Sequence, residues 1–329
     1  MKRAQLWIIF CLLAFGHGMA GACDFCNCLM GINPNYNGAD KIMLHFLLQH
    51  SYYTPSGDTS LPFGSKLAAG GYGVSPLGVP SGFYHFGGEG TEPAYETRRT
   101  FEIAYQHHFS DHLMATVMLP YAISDLESGE SRVSVRGFGD PTLLAHYILA
   151  DMISPDIPST LLIGAGVKLP LGQHTLRDAR GTLLDPRMQP GSGSVDALAN
   201  VTAMAQFGGW TTAIDAYGKL NTANQSGDRI GSSLAVSATV NHDLLRSNQD
   251  LFAVVGIAGL REEMAGHDRI AGEIDERSGF TTTYGSLGAQ VVYDAVKLDL
   301  TVLLPLHQNR SSGEPMERPR ILSGLRYEF

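Results

Sequence analysis

The chain has 329 residues, 44% of them hydrophobic and 17% charged, with a mean hydropathy of -0.02, which excludes both a disordered polyelectrolyte and a bundle of membrane helices. A formal net charge of -9 argues against a nucleic-acid partner. Glycine is abundant, at 38 residues, and follows no three-residue period; this excludes collagen and points to many tight turns in an all-β chain.

Lys2 and Arg3 precede the apolar run Leu6 to Phe15, and Ala20-Gly21-Ala22 follows it. That order of charge, apolar core and small residues is a secretory signal peptide, and the run is too short to span a bilayer. Residues 1–22 are therefore expected to be removed, with the mature chain starting at Cys23. Three cysteines then remain, Cys23, Cys26 and Cys28. Odd and clustered, they cannot form a conventional disulfide framework. Three readings stand: one local disulfide with a spare thiol, a soft-metal site for Cu or Zn with Met30 as a further donor, or lipidation of Cys23. Lipidation lacks the Leu expected three residues before such a cysteine. No C-x-x-C-H haem signature is present, and apart from that soft metal no cofactor is expected. Residues 23–40, with the turn-rich Pro34-Asn35-Tyr36-Asn37-Gly38, form a separate periplasmic segment or an inward plug.

From residue 41 onward, segment after segment alternates apolar with small or polar side chains, the strand period. Phe101, Ile103, Tyr105, His107 and Phe109 share one face, while Arg98, Thr100, Glu102, Gln106 and His108 share the other. Val195 to Phe207 and Trp210 to Leu220 repeat the pattern across Gly208-Gly209 and read as one hairpin. Twelve strands are expected, starting near residues 41, 97, 112, 138, 160, 195, 210, 231, 250, 281, 296 and 318. One face is apolar and the other wet. The fold class is thus all-β, a transmembrane antiparallel barrel over residues 41–329, closed because a bare sheet edge in hydrocarbon costs several kcal/mol per group. A soluble sandwich also alternates, but its second face would not be this charged. Connections alternate in length, with long ones expected at 54–95, 125–136 and 171–194. This places both termini in the periplasm of a bacterial outer-membrane protein. The end, Arg326-Tyr327-Glu328-Phe329, resembles the terminal signal read by the barrel assembly machinery.

The polar faces carry Arg98, Glu102, Lys168, Asp196, Asp215, Lys219, Lys297 and Asp299, which under this reading line the lumen and set a transverse field for polar solutes. The bland alternative is that they satisfy one another in a narrow interior. His107, His108 and His112 cluster at one short turn and read as surface histidines or as metal ligands beside the cysteines. Asp125 to Glu130, and Glu262-Glu263 with Glu276, read as acidic turns. His242 with Ser247 and Asn248 is the nearest local set for hydrolysis, but G-x-S-x-G, H-E-x-x-H and phosphate-binding loops are absent, so no enzyme is expected.

Three stretches carry a family likeness: Gly137-Phe138-Gly139-Asp140-Pro141, Val167-Lys168-Leu169-Pro170-Leu171-Gly172, and Pro190-Gly191-Ser192-Gly193-Ser194-Val195-Asp196. Together they resemble the outer-membrane transporter-like barrels grouped with the MetA-pathway phenol-degradation proteins. The likeness implies a barrel passing small, aromatic or hydrophobic compounds. Asp140 and Asp196 are expected to hydrogen-bond turn amides there. Two functions follow: a passive channel through a charged lumen, whose partners are outer-membrane lipid and a small solute, or a periplasm-facing metal-binding or scaffold barrel using Cys23, Cys26 and Cys28.

Overall fold

Backbone pairing follows the alternation of apolar and polar side chains along the chain. The computed structural model describes residues 39–53, 94–128, 131–151, 157–178, 181, 183–184, 186–247, 251–311 and 314–329. Residues 1–22, expected to be a leader, and Cys23, Cys26 and Cys28 lie outside these residues. The first strands are β1 (Lys41–Tyr53), β2 (Ala94–His108), β3 (Leu113–Ser128), β4 (Ser131–Phe138) and β5 (Thr142–Asp151). There follow β6 (Ser159–Lys168), β7 (Asp196–Phe207), β8 (Trp210–Leu220), β9 (Ser233–Arg246) and β10 (Phe252–Ala265). Last come β11 (Asp268–Ile270), β12 (Glu273–Asp275), β13 (Phe280–Tyr293), β14 (Val296–Arg310), β15 (Met316–Glu317) and β16 (Arg320–Glu328).

All pairings are antiparallel between neighbours, and β1 pairs with both β2 and β16, which closes the sheet. Two wall strands are interrupted. Along β3, β4 and β5 run in one direction and break at Gly139-Asp140-Pro141; along β1, β15 and β16 do the same. Counted as wall strands these give a closed barrel of twelve, and the small β11–β12 hairpin stands outside it. A closed barrel leaves no backbone edge for hydrocarbon to desolvate.

The two faces differ in chemistry. Ile103 is 59% exposed on the outside, while its neighbour Glu102 is 2% exposed on the inside. Ile42, Phe101, Val117, Leu298, Leu300 and Leu325 join Ile103 on the exposed surface, an apolar belt that only a membrane covers. Gly208 at φ 60° turns β7 into β8, and Asp294 at φ 50° turns β13 into β14. Where Asp40 enters β1, its carbonyl accepts the Phe329 amide at 3.0 Å, so both ends of the described chain meet at one rim, here the terminal rim. The opposite end is the loop rim.

Two expectations are corrected. Of the connection expected over 125–136, residues 125–128 and 131–136 are strand, and the fourth wall strand begins at Ser131 rather than near 138. Two of the acidic residues there are paired across the ladder: Asp125 bonds Arg99 diagonally at 2.8 Å and lies 3.5 Å from Arg132, while Glu127 sits in register opposite Arg132 at 3.4 Å. Opposite charges across a ladder stabilise strand where unpaired ones would favour solvated loop. Likewise Glu262 and Glu263 belong to β10, and Glu263 is buried between Arg261 at 2.6 Å and Arg320 at 2.9 Å.

The core of the protein is its lumen. Met43, Ala104, Met118, Leu144, Leu198 and Tyr217 form one inward cluster, and Leu47, Tyr284, Leu303 and Leu322 a second. Ala104 and Met118 are 0% exposed; an inward position without water contact means that side chains fill the barrel at that level.

Candidate functional site

At the loop rim the wall is uneven. β6 stops at Lys168 and β7 starts at Asp196, its register partner, so the segment between them must leave the sheet. It is seated against the break in the neighbouring strand: Leu169 donates to the Pro141 carbonyl, Gln173 to that of Phe138 and Gly191 to that of Gln173, each at 2.9 Å. The Asp140 carboxylate accepts the Gly172 amide at 2.9 Å, the Ser192 amide at 2.7 Å and the Ser192 hydroxyl at 2.8 Å. Lys168 lies 3.1 Å from Asp140 and 2.6 Å from Asp196. Asp196 also accepts the Ser194 hydroxyl at 2.9 Å and the Thr222 amide at 3.0 Å. The three motifs that looked alike to a family in sequence therefore meet at one buried ammonium between two carboxylates. A buried ion pair of this kind holds only when its remaining lone pairs are hydrogen-bonded, which the serines and amides supply. Backbones approach closely here: a Cβ on Gly172 would sit 2.5 Å from the Gly139 carbonyl carbon, and one on Gly191 would sit 2.8 Å from the Gly172 backbone. Glycine is required at both by contact with backbone.

Beyond this weld the segment forms a cap. Leu184 and Met188 are buried against Tyr53, Ala94, Leu126 and Val135. Gln189 donates to the Leu176 and Leu184 carbonyls and accepts the Leu176 amide. Arg187 reaches outward to Asp268, at 2.7 Å, and to Glu314, at 3.1 Å, tying the cap to the β10–β13 and β14–β15 connections. From below, Arg98 donates to the Arg187 carbonyl at 3.1 Å. Under the cap lies a cavity of 160 Å³. Its wall mixes Leu47, Leu126 and Met188 with Arg98, Lys168 and Lys219. Sequence reasoning did not find Arg187, Asp268 or Glu314, because they sit in connections that carry no strand period.

The other expected lumen residues lie on the inward face below or beside this chamber. Glu102 is 3.0 Å from His45, Asp215 accepts the Thr202 hydroxyl at 2.5 Å, and Lys297 bonds Glu328 at 2.8 Å. Asp299 is also buried, with one carboxylate oxygen lacking a hydrogen-bond partner among the described residues. The structure brings Arg98, Lys168 and Lys219 to one cavity and Asp196 to its edge; Glu102, Asp215, Lys297 and Asp299 are elsewhere. At the terminal rim, Asp40 accepts the His108 amide at 2.8 Å and bonds His107 Nδ1 at 2.7 Å, while His112 stands against the Tyr147 ring at 6.2 Å. Among the described residues no group of three metal ligands is found.

The family description for the putative MetA pathway of phenol degradation matches residues 85–311, more than half of the chain. The chain belongs to that family. The converging motifs of this phenol-degradation family member, from Gly137 to Asp196, all fall inside the matched span. Among solved structures it is similar to the COG4313 outer membrane channel from Pseudomonas putida F1, with a TM-score of 0.58 and 13% identity, covering 90% of this chain and 97% of that one. The β domain of the Bordetella autotransporter BrkA gives a TM-score of 0.47 and 10% identity, covering 89% and 100%. No curated protein matches the family member's sequence.

Proposed function

We propose that this barrel is a gated channel of the bacterial outer membrane, passing small solutes through its lumen by diffusion and without bond chemistry. The observation that carries this reading is the polar, cation-bearing chamber held between the cap at one end and packed side chains at the other, inside a sealed apolar-surfaced barrel. The Pseudomonas putida channel of like fold agrees with it, and the family's description points to aromatic compounds as solutes. In this reading the loop rim faces outward and both termini lie in the periplasm, because the connections at the loop rim are the longer ones. A leader over residues 1–22 would deliver the chain there, and Phe329, exposed beside Tyr327, would present the end read during barrel assembly.

Interior charges act here as much by closing as by conducting. Buried Lys168, Lys297 and Glu102 are paired to neighbours, so solute must move past satisfied ion pairs rather than through a wide water column. Opening the cap exposes the chamber, and rearrangement of the apolar cluster beneath it completes the path. Reconstitution tests the reading: vesicles holding the purified protein are expected to swell in isotonic small solute faster than empty vesicles. Swelling at the empty-vesicle rate for every solute tried would overturn it.

A further inference from the structure

We infer that the chamber beneath the cap is a binding site for small amphipathic carboxylates, with the Arg98 guanidinium as the group that recognises the anion. The inference deepens the channel reading and rests on it for its biological meaning, although the binding itself is testable alone. Its first support is the state of the cations around the cavity. Lys168 is tied to Asp140 and Asp196, Arg187 to Asp268 and Glu314, and Arg320 to Glu263 and Glu317, while Arg310 lies near Glu317. Arg98 differs. Among the described residues its one polar partner is the neutral Arg187 carbonyl, and Glu96, two positions along the same face, bonds the Tyr53 hydroxyl at 3.4 Å instead.

A guanidinium offers donors in a fixed fork that matches a carboxylate, and a charge-assisted pair is about twice as strong as a bond to a neutral carbonyl. An entering carboxylate therefore outcompetes the acceptor that Arg98 now holds. A second support is Ser124, which is outside the cavity lining but is the register partner of Arg98 on β3. Its hydroxyl is buried and has no hydrogen-bond partner among the described residues, so a donor stands unused beside the guanidinium. Leu47, Leu126, Met188 and Phe280 form the apolar part of the wall, and the carboxylates that also line it, Glu96, Asp140, Glu314 and Glu317, are bonded to Tyr53, Lys168, Arg187 and Arg320 respectively. A cavity of 160 Å³ is close to the size, about 150 Å³, at which an apolar protein cavity takes up benzene. One ring or a short chain bearing one carboxylate fits both halves of that wall. Since Arg98 also holds the cap backbone, taking up such an anion withdraws one of the bonds that keep the cap in place.

The test is calorimetric titration of the full chain in non-ionic detergent with benzoate and with benzyl alcohol, which share a ring and differ in charge. Benzoate is expected to bind at least ten-fold more tightly. Arg98→Gln is expected to remove that preference, and Arg98→Lys, which keeps the charge without the fork, to retain part of it and so report even where the Gln variant fails to fold. Equal affinities, no detectable benzoate binding, or a preference that both variants keep in full would each overturn the inference. Vesicle swelling separates this from the channel reading: unimpaired swelling with equal affinities removes the anion site alone, whereas tight benzoate binding without swelling removes the channel alone.

Discussion

Asp40 shows how one carboxylate outside the membrane-spanning strands fastens the chain entry. The His108 amide, with His107 and Tyr105 adding side-chain bonds, lowers its pKa from 3.8 to about 2. A group whose pKa falls on folding contributes stability above its unfolded value and loses it as the pH drops through the folded value. The wild-type chain is accordingly expected to resist unfolding better than Asp40→Asn at pH 7, with the difference vanishing between about pH 4 and 2. Urea unfolding in micelles across that range measures it; an advantage undiminished at pH 2 would contradict the assignment. Lys168 is the interior counterpart. Its replacement by Met would leave Asp140 and Asp196 buried without their cation, a loss of about 3 to 5 kcal/mol when one partner of a buried pair is removed. Equilibrium unfolding in vesicles should show that loss, and a change under 1 kcal/mol would mean that the weld is not stabilising.

The elements were legible in the sequence to unequal degrees. Strands with a long uninterrupted alternation, such as β7 and β14, begin within a residue of where the periodicity places them. Misplacement occurred at β4, because Asp125 and Glu127 read as loop acids until their partners Arg99 and Arg132 are seen across the ladder. Cross-strand pairing is a two-strand property, invisible to any count along one strand. The cap is a harder case. Its anchors Arg187, Asp268 and Glu314 are far apart in sequence and lie in connections, where no period marks them. The glycine-rich stretches were readable as a family likeness before their cause was visible: the three of them pack backbone to backbone around Asp140. If the Arg187 pairs hold the cap down, Arg187→Ala should raise solute flux in vesicles several-fold while the barrel still resists unfolding. Unchanged or reduced flux would remove the cap from the gating account.

At the scale of the whole molecule, a barrel of twelve wall strands falls between the size of about eight strands that side chains can fill and the size of about sixteen that leaves an aqueous channel. The face read as wet in the sequence is mostly dry, since Glu102, Lys168 and Asp196 are buried and paired rather than lining an open conduit. Composition and alternation reveal which way a face points; they do not reveal how much water stands before it, because that depends on the diameter and on segments that fold inward. Among the described residues a chamber stands open under the cap, and in the proposed channel it lies on the solute's path. Ala122 lines it and is small. Replacing Ala122 by Trp fills the space from the wall while leaving the cap anchors and the ion pairs untouched. Flux of small solutes into vesicles carrying Ala122→Trp, folded as judged by resistance to unfolding, is expected to fall to the empty-vesicle rate; flux equal to that of the unaltered protein would place the path elsewhere and contradict the account.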